Sequence, residues 1–107
     1  MERKGYKFDL FGEKYTVKFV DKIPVDADAE PGTFYFGQND RAAGLITIAV
    51  LDREGKPLTE ETIRLTALHE IMHAIFSSGA YSAENGDEPL VEWCAKCLNQ
   101  LIKQKVL

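Results

Sequence analysis

The sequence predicts an α+β domain, in which an antiparallel or mixed sheet of about four strands is followed by two helices. The first half alternates apolar and polar residues with a period of two, which is typical of half-buried strands. The second half repeats its apolar residues at helical spacing. Strands that precede helices along the chain indicate an α+β rather than an alternating α/β arrangement. With 107 residues, we expect a single domain over residues 1–107.

Two alternating segments open the chain, and a loop follows them. Tyr6–Leu10 and Tyr15–Phe19 place apolar residues at every second position, and Gly12 between them allows a turn. These segments predict a hairpin. Residues 21–32 are acidic and interrupted by two prolines and a glycine, so they predict a loop.

Two further strands are predicted before the helices. Thr33–Phe36 is short and aromatic, and residues 37–44, which follow it, are rich in turn-forming residues. Leu45–Leu51 is almost continuously apolar and rich in β-branched residues, which favours a well-buried strand. We therefore expect the third strand at Thr33–Phe36, a loop at 37–44 and the fourth strand at Leu45–Leu51.

The first predicted helix is apolar over most of its circumference. Thr59 is a suitable N-cap, and the acidic residues at 60 and 61 complement the helix dipole. The helical pattern runs to about Ser78, and Gly79 is suited to the position after the helix end. A helix with apolar residues on nearly all sides is expected to lie centrally. A loop at Tyr81–Asp87 then leads to a second helix, which begins near Pro89 and reaches about Lys105.

The chain has only two histidines, and both lie in the central helix, in the pattern His69-Glu70-x-x-His73. Residues four apart share a helix face, so both imidazoles can converge on one metal ion. Zinc accepts neutral imidazole nitrogens, and a catalytic zinc site has three protein ligands. Glu70 is suited to serve as general base for a water molecule in such a site. The pattern therefore predicts one Zn²⁺ per chain.

The third zinc ligand must be a residue other than histidine. Glu88 and Glu92 lie four apart at the start of the second helix, so either carboxylate can face the histidines. Glu92 can instead belong to a solvated stripe, where it pairs with Lys96. Cys94 and Cys97 would complete a closed structural site with the two histidines. However, both cysteines lie on the apolar side of the helix, and a closed site would leave Glu70 without a role.

These segments resemble the small zincin domains of the ImmA/IrrE-like metallopeptidases, particularly the compact versions encoded by phages and mobile elements. The likeness rests on LHEIMHA at residues 68–74, on Glu92-x-x-Ala95-x-x-Leu98, and on the preceding strand at residues 46–48. It extends over roughly residues 33–102. The resemblance implies a minimal zincin of the gluzincin type. His69, His73 and Glu92 would bind zinc, Glu70 would be the catalytic base, and Glu88 is the alternative ligand.

The expected function is zinc-dependent hydrolysis of peptide bonds in a protein or peptide substrate. An edge strand, Thr33–Phe36 or Leu45–Leu51, would hold the extended peptide. Tyr35 or Tyr81 is a candidate oxyanion donor. The alternative is a zincin-fold binding module, in which zinc is structural and a host or regulatory protein is bound without being cleaved.

Composition limits the partners and the compartment. A net charge of −4 disfavours nucleic acid and anionic membranes, since both select basic surfaces. No apolar run approaches the roughly 18 residues of a membrane span, and the first nine residues hold no secretion signal. Two cysteines form no disulfide framework. We therefore expect a cytoplasmic location, and the resemblance implies a bacterial cell or a phage-infected host.

Overall fold

The computed structural model describes residues 3–78 and 81–107. It confirms the α+β class, because a four-stranded mixed sheet is followed by two helices. The elements are β1 (Tyr6–Leu10), β2 (Glu13–Val20), β3 (Gly37–Asp40), β4 (Leu45–Ala49), α1 (Glu60–Ser77), a 3₁₀ turn (Ser82–Gly86) and α2 (Glu88–Lys103). Gly79, predicted to follow the first helix, lies outside the described residues.

The strand order across the sheet is β1-β2-β4-β3. β1 and β2 form the predicted hairpin, with Tyr6 opposite Val17 and Leu10 opposite Glu13. β4 runs parallel to β2 and antiparallel to β3. It therefore lies inside the sheet, and the expectation that Leu45–Leu51 offers a free edge is wrong. β4 itself ends at Ala49, and beyond it Leu51 makes only an isolated bridge to Pro57.

The third strand lies later in the chain than the sequence predicts. Thr33–Phe36 is not a strand, and β3 occupies Gly37–Asp40, where a loop was expected. β3 is polar and lies at the edge of the sheet, so it lacks the apolar alternation that identifies a strand. The aromatic residues before it pack against each other instead, with the Phe34 and Phe36 rings 4.9 Å apart and edge to face.

The core lies between one face of the sheet and α1. Val17, Ile46 and Ile48 are fully buried and pack with Ile63 and other residues of α1. Burial of each large aliphatic side chain contributes about 1.5–3 kcal/mol. This packing fixes α1 across the sheet beside β3, and it thereby positions the two histidines.

α1 is enclosed on a second side by α2, as its apolar circumference predicts. Met72 of α1 packs against Val91 and Ala95 of α2. Thr59 caps α1 by accepting a hydrogen bond from the backbone N–H of Thr62 at 3.1 Å. Asp87 caps α2 in the same way, through the N–H of Leu90 at 3.1 Å. Over the described ranges, no helix combines the length and the apolar character needed to cross a membrane.

Candidate metal centre

His69 and His73 lie one turn apart on α1, and their rings meet at their outer nitrogens. The two Nε2 atoms are 3.2 Å apart, and the rings pack edge to face with centroids 4.9 Å apart. Both side chains are largely buried, with relative exposures of 19% and 15%. The helical i,i+4 spacing therefore brings the imidazoles together as expected.

Glu88, the first residue of α2, faces both imidazoles at once. Its Oε2 atom lies 3.0 Å from Nε2 of His69, and its Oε1 atom lies 3.1 Å from Nε2 of His73. The cap at Asp87 makes Glu88 the first residue of α2, and the packing of α2 against α1 brings Glu88 to the imidazoles. These three side chains form a group whose potential ligand atoms all lie within 4.8 Å of one another.

The other nitrogen of each imidazole also has a polar partner. Nδ1 of His69 lies 2.9 Å from Oε2 of Glu92, and Nδ1 of His73 lies 2.8 Å from Oδ1 of Asn85. Carboxylate and amide oxygens accept hydrogen bonds, so each Nδ1 is assigned the proton. In the neutral rings, the lone pairs then lie on Nε2 and point towards Glu88.

This arrangement suits a cation. Two imidazole lone pairs and a carboxylate converge on one point, so a cation placed there would be attracted by all three groups. Ligand atoms of a tetrahedral zinc site, with bonds of about 2.0–2.1 Å, lie about 3.3 Å apart. The two Nε2 atoms, 3.2 Å apart, match that separation, and each lies 3.0 or 3.1 Å from a different oxygen of Glu88. Two imidazole nitrogens and a carboxylate are ligands that zinc accepts, so the donor set fits zinc.

The side chain of Glu70, a residue of α1, lies against the start of β3. It is buried, and burial raises the pKa of its carboxyl group, although the two nearby histidines act in the opposite direction. A Cβ atom built on Gly37 would lie 3.0 Å from Cγ and 3.1 Å from Oε2 of Glu70. Glycine therefore allows β3 to pass directly over this carboxylate. Asn39 also donates from its side chain to the backbone carbonyl of Glu70, at 3.3 Å.

Two tyrosines and two cysteines are the remaining candidates from the sequence. Tyr35 lines the two pockets beside Glu70, whereas Tyr81 is 64% exposed and lines neither of them. Cys94 packs in the apolar cluster between the helices, and Cys97 is exposed. Within the described residues, neither cysteine joins the group formed by the histidines and Glu88.

The sequence does not identify Asn85 as a partner of His73. It lies in the segment predicted as a loop, and the structure places it in the 3₁₀ turn between the helices. A single asparagine in a polar loop carries no signal in one sequence. Only the closeness of that turn to His73 shows that its amide faces the imidazole.

Comparison with known proteins adds no relative. No family model matches the chain, and neither a curated protein nor a solved structure does. The function must therefore be inferred from the arrangement of this chain's own side chains.

Proposed function

We propose that this protein is a zinc-dependent metallopeptidase of the small ImmA/IrrE-like type. The observation that carries the proposal is the convergence of two imidazole Nε2 atoms and the Glu88 carboxylate, with a buried Glu70 carboxylate beside them. His69, His73 and Glu88 would bind the zinc ion. The geometry favours Glu88 over Glu92 for this role, because Glu92 faces the Nδ1 atom of His69 instead. Glu92 and Asn85 would orient the two imidazoles.

Glu70 has the position and the environment of a general base. Zinc in this site would supply Lewis-acid chemistry, which acidifies a water molecule and polarises a peptide carbonyl. Glu70 would accept the proton from the attacking water and then donate it to the nitrogen of the leaving amine.

The free edge of β3 offers a place for an extended substrate. The backbone N–H of Ala49 donates to the carbonyl of Phe36 at 2.9 Å, which makes these residues a hydrogen-bonded pair. Hydrogen-bonded pairs alternate along antiparallel strands, so the backbone groups of Gly37 and Asn39 point away from β4. A peptide that paired with this edge would pass beside Glu70. The edge strand that would hold the peptide is therefore β3, and not Thr33–Phe36 as expected from the sequence.

The proposal is tested with zinc-loaded protein and a library of fluorogenic peptides. We expect cleavage by the wild type, and a loss of at least about 10²-fold in kcat/KM for Glu70→Gln, since a general base contributes about 10²–10⁴-fold. Glu54→Gln is the matched control, because Glu54 is exposed and lines neither of the pockets beside Glu70. Equal cleavage by the wild type and by Glu70→Gln would refute the proposal. Zinc binding without any cleavage would favour the binding module.

A further inference from the structure

Two pockets meet at Glu70, one on each side of it along β3. We call the first the aromatic pocket, with a volume of about 390 Å³; it is lined by Phe34, Phe36, Leu65, Thr62 and Thr66 and, beside the candidate metal centre, by His69 and Glu92. We call the second the arginine pocket, with a volume of about 330 Å³; it is lined by Gln38, Asn39, Arg41, Ser77 and Asn85 and, beside the candidate metal centre, by His73. Tyr35, Gly37 and Glu70 line both pockets. The two pockets therefore form one groove that crosses the candidate site.

The aromatic pocket can receive a large side chain. Phe36 is 44% exposed at its wall, so its ring has surface available for a ligand. The Phe34 ring packs against Phe36, and the Arg53 guanidinium lies 5.6 Å from its centroid. Arg53 also donates to the carbonyl of Gly32 at 2.7 Å, which holds it outside the pocket. An apolar or aromatic side chain placed against Phe34, Phe36 and Leu65 would displace water from their surfaces.

Arg41 places a positive charge in the arginine pocket. It is the one lysine or arginine among the described residues that line the two pockets. Its side chain is 55% exposed, and its only described ion pair, with Glu13, is long at 3.6 Å. An exposed pair of this kind contributes about 0–1 kcal/mol, so it competes weakly with a ligand. A carboxylate in the groove would accept charge-assisted hydrogen bonds from this guanidinium.

We propose that the groove selects an extended peptide with one large apolar side chain and one acidic side chain, on opposite sides of the scissile bond. This inference rests on the proposed peptidase function and names its substrate class. Phe36 and Arg41 are five residues apart, and a strand rises about 3.3 Å per residue. The apolar and the acidic residue of the peptide are therefore expected to be about three to five residues apart. A single carboxylate suffices, since the protein's net charge of −4 would repel a strongly acidic peptide.

The test measures binding separately from cleavage. Zinc-loaded Glu70→Gln protein is titrated against fluorescein-labelled decapeptides that carry Phe or Ala at one position and Asp or Asn three, four or five residues away. Fluorescence anisotropy gives each Kd. We expect the peptides with Phe and Asp to bind most tightly. Adding Arg41→Gln should weaken their binding about tenfold and leave the Asn peptides unchanged, and adding Phe36→Ala should abolish the preference for Phe over Ala.

Lys56→Gln and Phe11→Ala are the matched controls, because both residues are exposed and neither lines the groove. The inference is overturned if no decapeptide binds, or if Arg41→Gln affects Asp and Asn peptides equally. Cleavage by the wild type without these preferences would retain the peptidase and refute the substrate class. Selective binding without cleavage by the wild type would support the groove and refute the peptidase.

Discussion

The Nδ1 atom of His69 lies 2.9 Å from the Oε2 atom of Glu92. This contact places Glu92 against the imidazole nitrogen that is turned away from His73. Glu88, one helical turn earlier, faces the Nε2 nitrogens. Two glutamates on the same face of α2 thus meet different imidazole nitrogens, Glu88 the Nε2 atoms and Glu92 the Nδ1 atom of His69. A carboxylate on Nδ1 fixes the tautomer that leaves Nε2 available to a metal ion.

The two glutamates are expected to differ in their effect on zinc affinity. Glu88→Ala removes the proposed third ligand, and we expect zinc affinity to fall by more than about 100-fold. Glu92→Gln keeps a side chain near Nδ1 but loses the negative charge, so we expect a fall of about 10-fold and a stoichiometry of one zinc per chain. Competition with a chromophoric chelator measures both affinities.

Glu54→Gln provides the control for the change of charge, and circular dichroism checks that α2 still forms. A larger loss of zinc affinity in Glu92→Gln than in Glu88→Ala would reverse the assignment. Glu92 would then be the third ligand, as the resemblance to ImmA/IrrE-like metallopeptidases implies.

Gly37→Ala is expected to disturb Glu70 without removing the metal. The added Cβ would lie 2.9 Å from Cγ2 of Thr66 and 3.0 Å from Cγ of Glu70, both closer than ordinary contact. Overpacking of this kind costs about 1–3 kcal/mol. We expect a lower free energy of unfolding and a lower kcat, with unchanged zinc content. Urea denaturation, peptide cleavage and elemental analysis measure these three quantities.

Gly86→Ala is the matched control, because its added Cβ would meet no described heavy atom within 4 Å other than those of its chain neighbours and of the backbone of its own 3₁₀ turn. It should leave kcat and stability close to those of the wild type. If both substitutions have the same effect on kcat, the close approach of β3 to Glu70 does not matter for catalysis.

The sequence predicts strongly periodic elements well and the polar edge strand poorly. α1 and α2 begin within one residue of the expected positions, because Thr59 and Pro89 mark their first turns. β3 has no apolar periodicity and is defined by its pairing with β4, for example Asn39 opposite Ile46. Such a strand depends on a long-range partner, so its own residues do not identify it.

The histidine pair follows from local spacing, whereas the carboxylate partners depend on tertiary structure. His69 and His73 share a face of α1 wherever that helix lies. Glu88 and Glu92 also share a face, so helical periodicity cannot tell which of them reaches Nε2. That choice depends on where α2 begins relative to α1, and this is fixed by the packing of Met72 against Val91.

Asn99 is expected to stabilise the contact between the two helices away from the candidate site. It is 7% exposed, accepts a hydrogen bond from Nε of Arg64 at 2.7 Å and donates to Glu61 at 3.4 Å. Asn99→Leu would leave the Arg64 donor without this partner, so we expect a loss of about 1–3 kcal/mol in the free energy of unfolding. Urea denaturation measures the loss. Gln100→Leu, at the exposed neighbouring position, should change stability by less than about 0.5 kcal/mol.

The ion pair between Glu61 and Lys103 is expected to make stability depend on pH. A hydrogen bond from Lys103 at 3.0 Å, together with its charge, lowers the pKa of the Glu61 carboxyl group below the ordinary value of 4.5. A carboxyl group whose pKa is lower in the folded state stabilises the fold above its unfolded pKa, and this contribution is lost as pH falls through the folded pKa. Lys103→Gln should therefore lower Tm slightly at pH 7, and the difference from the wild type should shrink below pH 4.5. Thermal unfolding of both proteins between pH 3 and pH 7 measures this, with the exposed Lys56→Gln as control. A difference in Tm that stays constant over this range would show that the pair makes no pH-dependent contribution.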